Sequence, residues 1–170
     1  MRKSVIASLI ILLFSIVVNA QSNKYNNYQK DWKKVEQFEL KDLSKSALNV
    51  VETIYKKAKK ENNKPQIIKS LLYKSKFALM LEENAQLKVV NAIKEEISEN
   101  NFPVKNILES ILAELYWQYF QQNRWKFYNR THTDEKIDVT DFRTWDLQTL
   151  FEEIQKHFEK SLANGLQLQQ

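Results

Sequence analysis

With 170 residues, 43% of them hydrophobic and 28% charged, one glycine, two prolines and no cysteine, the chain has the make-up of one helical domain, with little room for hairpins or Gly-rich phosphate loops. The missing cysteine excludes disulfides, thiolate nucleophiles and thiolate metal sites. The formal charge of +5 is unevenly spread: Gln21 to Met80 holds 14 basic and 6 acidic residues, net +8, whereas Leu81 to Gln170 holds 10 and 15, net −5.

Arg2 and Lys3 precede an apolar and small run from Ser4 to Val18, followed by Asn19, Ala20 and a polar stretch from Gln21 to Asn27. That is the order of a secretory signal peptide occupying residues 1–20, with Val18 and Ala20 as the small residues before a cut between Ala20 and Gln21. A run of about 15 residues is shorter than the roughly 20 that span a bilayer, which favours cleavage over a retained anchor. Without a cysteine at the cut the lipid-modified type is excluded, and no second run of spanning length follows. The mature chain is therefore expected outside the cytoplasm, periplasmic, envelope-associated or secreted, with no integral membrane span after cleavage. A basic chain suggests nucleic acid. Export argues against it, and Lys56, Lys57, Lys59 and Lys60 crowd one helix end, where cations complement the helix dipole. We expect a solvated face and no nucleic-acid partner, with an acidic partner or membrane surface as the alternative.

After a disordered start over Gln21 to Asn27, the spacing predicts a first helix from Tyr28 to Leu40 with Trp32 as its anchor and Val35 and Glu39 or Leu40 on the same side. A second helix begins at Asp42 or Leu43 and runs to about Glu61, with Leu43, Ala47, Val50, Val51, Ile54, Tyr55 and Ala58 at three- and four-residue spacings. Pro65 opens the third helix, whose stripe is Ile68, Leu71, Leu72, Ser75 and Leu79; the short connection makes this pair an antiparallel hairpin. A fourth helix starts near Asn84, carries Leu87, Val90, Ile93 or Lys94, and Ile97, and ends at Glu99 to Asn101.

Pro103 then opens a central helix with Val104, Ile107, Leu108, Ile111, Leu112, Leu115, Tyr116, Tyr119 and Phe120 as a broad stripe. Seven of the chain's aromatic residues lie between Leu115 and Thr131, a density that requires cover from more than one side. From Asn129 to Arg143 the periodicity is lost, predicting a polar loop with a short extended piece at Ile137 to Val139. Thr144 can cap a final helix with Leu147, Leu150, Phe151, Ile154, Phe158 and Leu162 on one side, stopped by Asn164 and Gly165 before a tail over 166–170. The fold class is all-α, about six helices over 28–165, either a tetratricopeptide-like α-solenoid of 35- to 40-residue hairpins or a simple helical bundle.

Little in this pattern suggests catalysis. His132 falls in the polar loop and His157, between Lys156 and Phe158, is expected to face outward, so neither fits a metal-binding spacing. Asp134, Glu135, Asp138 and Asp141 cluster without the glycine a cation loop requires, which leaves them solvated or capping. No Ser or Thr sits in a nucleophile elbow with a usable histidine. No enzyme activity, cofactor or metal is expected, and the Asn129, Arg130, Thr131 glycosylation pattern reads as coincidence. The candidate docking surface is Tyr116, Trp117, Gln121, Arg124, Trp125, Tyr128 and Arg130, where long polar side chains sit among large rings. The alternative for Gln121, Gln122, Asn123 and their neighbours is a polar network that fixes the helix-to-loop turn.

Three segments, KDWKKVEQFELKDLSKSALNVVETIYKKAKKENNKPQIIKSLLYK, FPVKNILESILAELYWQYFQQNRWKFYNRT and WDLQTLFEEIQKHFEKSL, cover most of Asp31 to Leu162. They resemble the N-terminal helical region of the exported alpha-2-macroglobulin-like proteins of bacteria. The resemblance implies a place ahead of a series of β-sandwich macroglobulin domains, a bait segment cut by the attacking protease, and in many members a Cys-Gly-Glu-Gln thioester. These 170 residues hold no β-sandwich region, bait or cysteine, so no inhibitory residue carries over. What is implied is the leading helical module of a protease trap, as a fragment or truncated form. Its partners are the macroglobulin-type domains that follow, with target proteases reached only through a longer parent chain. The alternative is a stand-alone adaptor binding a peptide or envelope protein.

Overall fold

The computed structural model describes residues 28–82, 85–128 and 138–169. Among them are six α-helices and no strand, as the all-α pattern predicts: α1 (28–39), α2 (Ser44–Lys60), α3 (Lys64–Leu81), α4 (Ala85–Glu99), α5 (Val104–Tyr128) and α6 (Leu147–Leu162). The proposed signal peptide, the cut at Ala20 and Gln21, and the start over 21–27 lie outside the described residues.

The helices end without glycine. Asp42 (φ 55°) and Asn62 (φ 51°) hold the left-handed conformation after α1 and α2. Each closes a Schellman pair, with Leu43 N–H donating to the Phe38 carbonyl at 2.9 Å and Asn63 N–H to the Ala58 carbonyl at 2.9 Å. Asn164 (φ 63°) holds the same left-handed conformation after α6, where Gly165 does not.

Helices adjacent in sequence pack on one another, α2 on α3, α3 on α4, α4 on α5 and α5 on α6, and α3 also touches α5. A helix that packs mainly on one neighbour shows a clean stripe. In α2 four of the seven expected residues, Ala47, Val51, Ile54 and Ala58, are buried, while Val50 and Tyr55 are partly buried and Leu43 is exposed. A helix with three neighbours cannot. In α3 the buried set is Ile67, Ser70, Leu71, Ser75 and Phe77, while the expected Leu72 and Leu79 are exposed. In α5 Asn106 and Glu109 are buried and Ile107 is exposed.

At the start of the chain Tyr28 and Val35 are buried, and Trp32 is half-buried against the Tyr73 ring at 4.9 Å, so Tyr28 rather than Trp32 is the anchor of α1. Leu40 and Leu43 belong to the exposed turn. Tyr28 donates to Glu61 (2.8 Å) and the Trp32 indole to Gln66 (2.7 Å), tying α1 to the α2–α3 turn and the start of α3.

The segment before α6 departs most from expectation. Phe142, expected in the polar loop, and Trp145, expected to open the final helix, are both core residues. Asp138 and Val139 form no strand; Ile137 lies outside the described residues. Asp138 instead accepts from the Thr140 N–H and hydroxyl (both 2.7 Å), and its carbonyl accepts from the Trp145 indole (2.7 Å). Asp141 caps a short 3-10 turn (Phe142–Thr144) and binds the Arg143 guanidinium through both oxygens, at 2.8 and 2.7 Å. The cap of α6 is Asp146, which accepts from Thr149 N–H at 2.7 Å, not Thr144.

Candidate interaction site

The second half of α5 presents an exposed side, Trp117, Gln121, Arg124, Trp125 and Tyr128, at helical spacing. The helix kinks within it. Asn123 has φ −121° and ψ 18°, and its side-chain amide donates to the Tyr119 carbonyl at 2.9 Å. The kink redirects the last turn so that Phe127 is buried against Tyr119 (6.0 Å) and Phe120 (5.8 Å). Trp125 and Tyr128 then turn outward, 66% and 76% exposed. The Lys126 ammonium sits 5.3 Å from the centre of the Trp125 ring. The expected polar network is thus made by Asn123, whereas Gln121, Gln122 and Arg124 are exposed. Trp117, 37% exposed, meets Phe120 at 5.5 Å and Phe151 of α6 at 6.0 Å.

Tyr116 is not part of that surface. It is fully buried at the centre of an aromatic nest, with ring centroids 5.1 Å from Phe142, 5.8 Å from Trp145 and 5.8 Å from His157. Its hydroxyl is buried without a hydrogen-bond partner. Burial, then the nearby carboxylates of Glu153 and Glu109, push this phenol above its ordinary range, so it stays neutral. Arg130, His132, Asp134 and Glu135 lie outside the described residues.

His157, expected to face water, is buried beside Tyr116. Its Nδ1 is hydrogen-bonded to Glu109 of α5, itself buried, and its Nε2 lies 3.4 Å from Glu153, one turn back on α6. Both ring nitrogens therefore face carboxylate oxygens. Glu153 also accepts from Lys156 at 2.9 Å. The sequence signal was present but weak: Leu150, Ile154 and His157 lie at i, i+4 and i+7, the line that faces the core. Among the described residues no group of three or more ligand-type side chains is placed to hold a metal ion, and no helix is long and apolar enough to cross a membrane.

The lysine-rich end of α2 is only partly a solvated face. Lys59 donates to Glu96 of α4 at 2.8 Å and also bonds Glu99; the Tyr55 hydroxyl bonds the same Glu96, and Asn100 adds a contact at 3.1 Å. Burial alone would raise the Glu96 carboxyl, but the bonds from Lys59, Tyr55 and Asn100 outweigh it and hold Glu96 below the usual carboxylate range. A folded value below the unfolded one stabilises fully above the ordinary carboxylate value, and the gain is lost as pH falls through the folded value. The urea midpoint should therefore drop as pH falls below the ordinary carboxylate value, and drop less steeply in Glu96→Gln. Equal slopes in the two proteins would show that this clamp does not link α2 to α4.

Between α2, α3 and α4 runs a cleft of about 260 Å³, with Leu71, Val89 and Ile93 on its floor and Glu52, Lys74 and Lys88 at its rim. No family model, curated protein or solved structure matches the chain.

Proposed function

We propose that this chain is a non-enzymatic, exported helical module that packs against and presents a partner protein, as the leading part of an alpha-2-macroglobulin-like protease trap. The observation that carries the docking role is the exposure of Trp125 and Tyr128 on a turn pinned from inside by Phe127 and the Asn123 kink. Large rings held outward on a rigid base supply contact area at low entropic cost, and Trp, Tyr and Arg dominate binding energy at protein interfaces. Export rests on Arg2, Lys3 and the apolar run that follows, and the trap assignment on the three resembling segments.

The docking role is tested by photo-crosslinking from position 128 in intact source cells, identifying the adduct, and measuring its affinity for the purified chain. Arg124→Ala with Trp125→Ala should weaken that affinity at least about tenfold with helicity unchanged. Unchanged affinity would remove the docking surface from this side. On its own the chain should not slow a protease, and stoichiometric inhibition would overturn the module reading.

A second reading, a tetratricopeptide-like adaptor, is favoured by the neighbour-on-neighbour packing of the helices and by the apolar-floored cleft between α2 and α4. Peptide protection of the α4 face at Val89 and Ile93 in hydrogen exchange, rather than of α5, would favour it.

A further inference from the structure

The inner line of α6, Leu150, Ile154 and His157, packs on α5. A second apolar line runs along the same helix: Leu147, Phe151, Phe158 and Leu162, which are 36%, 39%, 40% and 72% exposed. On an α-helix these four fall within an arc of about 60°. With Trp117 of α5, which meets Phe151 edge-on at 6.0 Å, they form one patch. The patch leaves on the order of 500 Å² of apolar surface, more than half of the roughly 800 Å² that each side of a stable interface buries.

The order of this line reads the same in both directions. Its spacings are four, seven and four, so reversing α6 about a point between Ile154 and Gln155 exchanges Leu147 with Leu162 and Phe151 with Phe158. In a two-fold contact each residue i that meets j is also met by it, so this spacing sets apolar side chain against apolar side chain along the whole line. We propose that two copies of this chain associate through the outer face of α6, antiparallel, with Phe151 of one copy against Phe158 of the other and Leu147 against Leu162.

The rim of the patch is polar. Gln148 donates to Glu152 at 2.9 Å and Gln155 to Glu159 at 2.8 Å. In the antiparallel pair the same flank of both helices lies on the same side, so Glu152 of one copy comes near Glu159 of the other. These like charges oppose association, but they are exposed and screened, while four large apolar side chains per copy leave water. The association should accordingly tighten with added salt.

Pairing through α6 is independent of the docking role of Arg124, Trp125 and Tyr128, and the two fail separately. Sedimentation equilibrium of the full chain should show a reversible monomer–dimer equilibrium. Phe158→Asp should weaken it at least about a hundredfold with helicity and urea midpoint near wild type. Glu159→Lys, which turns the like-charge contacts into opposite ones, should tighten it by about twofold to fivefold. Because the chain has no cysteine, register can be read directly by mixing a Leu147→Cys chain with a Leu162→Cys chain and adding a short bis-maleimide. Crosslinks between the two different chains are expected. A chain that stays monomeric up to about 1 mM, a dimer indifferent to Phe158→Asp, or crosslinks only between like chains would each overturn the proposal.

Discussion

Replacing Glu109 by Ala should destabilise the protein by about 3 kcal/mol, the cost of leaving a buried ring nitrogen of His157 without its hydrogen-bond partner. Glu109 and His157 come from different helices and both are buried, so neither can recover its hydration when the other is removed. His157 would keep only Glu153, which is 3.4 Å from the other ring nitrogen and already shared with Lys156. The conservative Glu109→Gln keeps an acceptor for Nδ1 and should cost less, about 1–2 kcal/mol. Because the two groups satisfy one another across the facing sides of α5 and α6, their single losses should not add. The double variant Glu109→Leu with His157→Leu should be closer to wild type than the sum of the singles, because a filled apolar site needs no partner. Urea midpoints followed by circular dichroism measure all four proteins. Additive losses, or a Glu109→Ala cost below about 1 kcal/mol, would show that the two groups do not depend on each other.

Trp145→Ala should cost a similar amount, about 3–5 kcal/mol, by a different route. The indole is 2% exposed and packs on Tyr116 (5.8 Å) and Phe142 (6.4 Å), with the Lys94 ammonium 5.6 Å from its centre. Its N–H is also what holds the Asp138 carbonyl at 2.7 Å. Truncation therefore opens a cavity beside α5 and releases the segment that leads into α6. Trp145→Phe refills most of the volume and loses the donor, so it should retain all but about 1–2 kcal/mol. Fluorescence offers an independent check. Trp125 is exposed and Trp145 buried, so Trp145→Ala should remove blue-shifted emission and Trp125→Ala red-shifted emission. A Trp145→Ala protein that unfolds at the wild-type midpoint would place the indole outside the core.

The helices themselves were legible because their signals are local. The boundaries of α2 and α4 follow from apolar spacing, and scarce glycine and proline left long uninterrupted runs. The docking candidates were partly legible. Gln121, Arg124, Trp125 and Tyr128 emerge exposed, but Tyr116 sits in the same aromatic run and belongs to the core. Aromatic density says that rings cluster and not which of them face water, and here the kink at Asn123 sorts Phe127 from Trp125 and Tyr128. Phe142 was missed because it fell in a stretch without a period, and Trp145 because it lies off the apolar line of the helix it was expected to open. Two large rings so close to a helix start were the signal that could have placed them inside.

By itself the sequence determined the all-α class, the order of the helices and the inner stripe of α2, since propensity and apolar spacing are properties of neighbouring residues. Only the tertiary structure decided which face of α6 turns inward. Apolar residues at 147, 150, 151, 154, 158 and 162 span about 120° on one side, a stripe that can turn inward by either edge, which leaves two orientations open. Glu109, buried on α5 and needing a partner, meets His157 in one of them, and that orientation leaves Phe151, Phe158 and Leu162 at the surface.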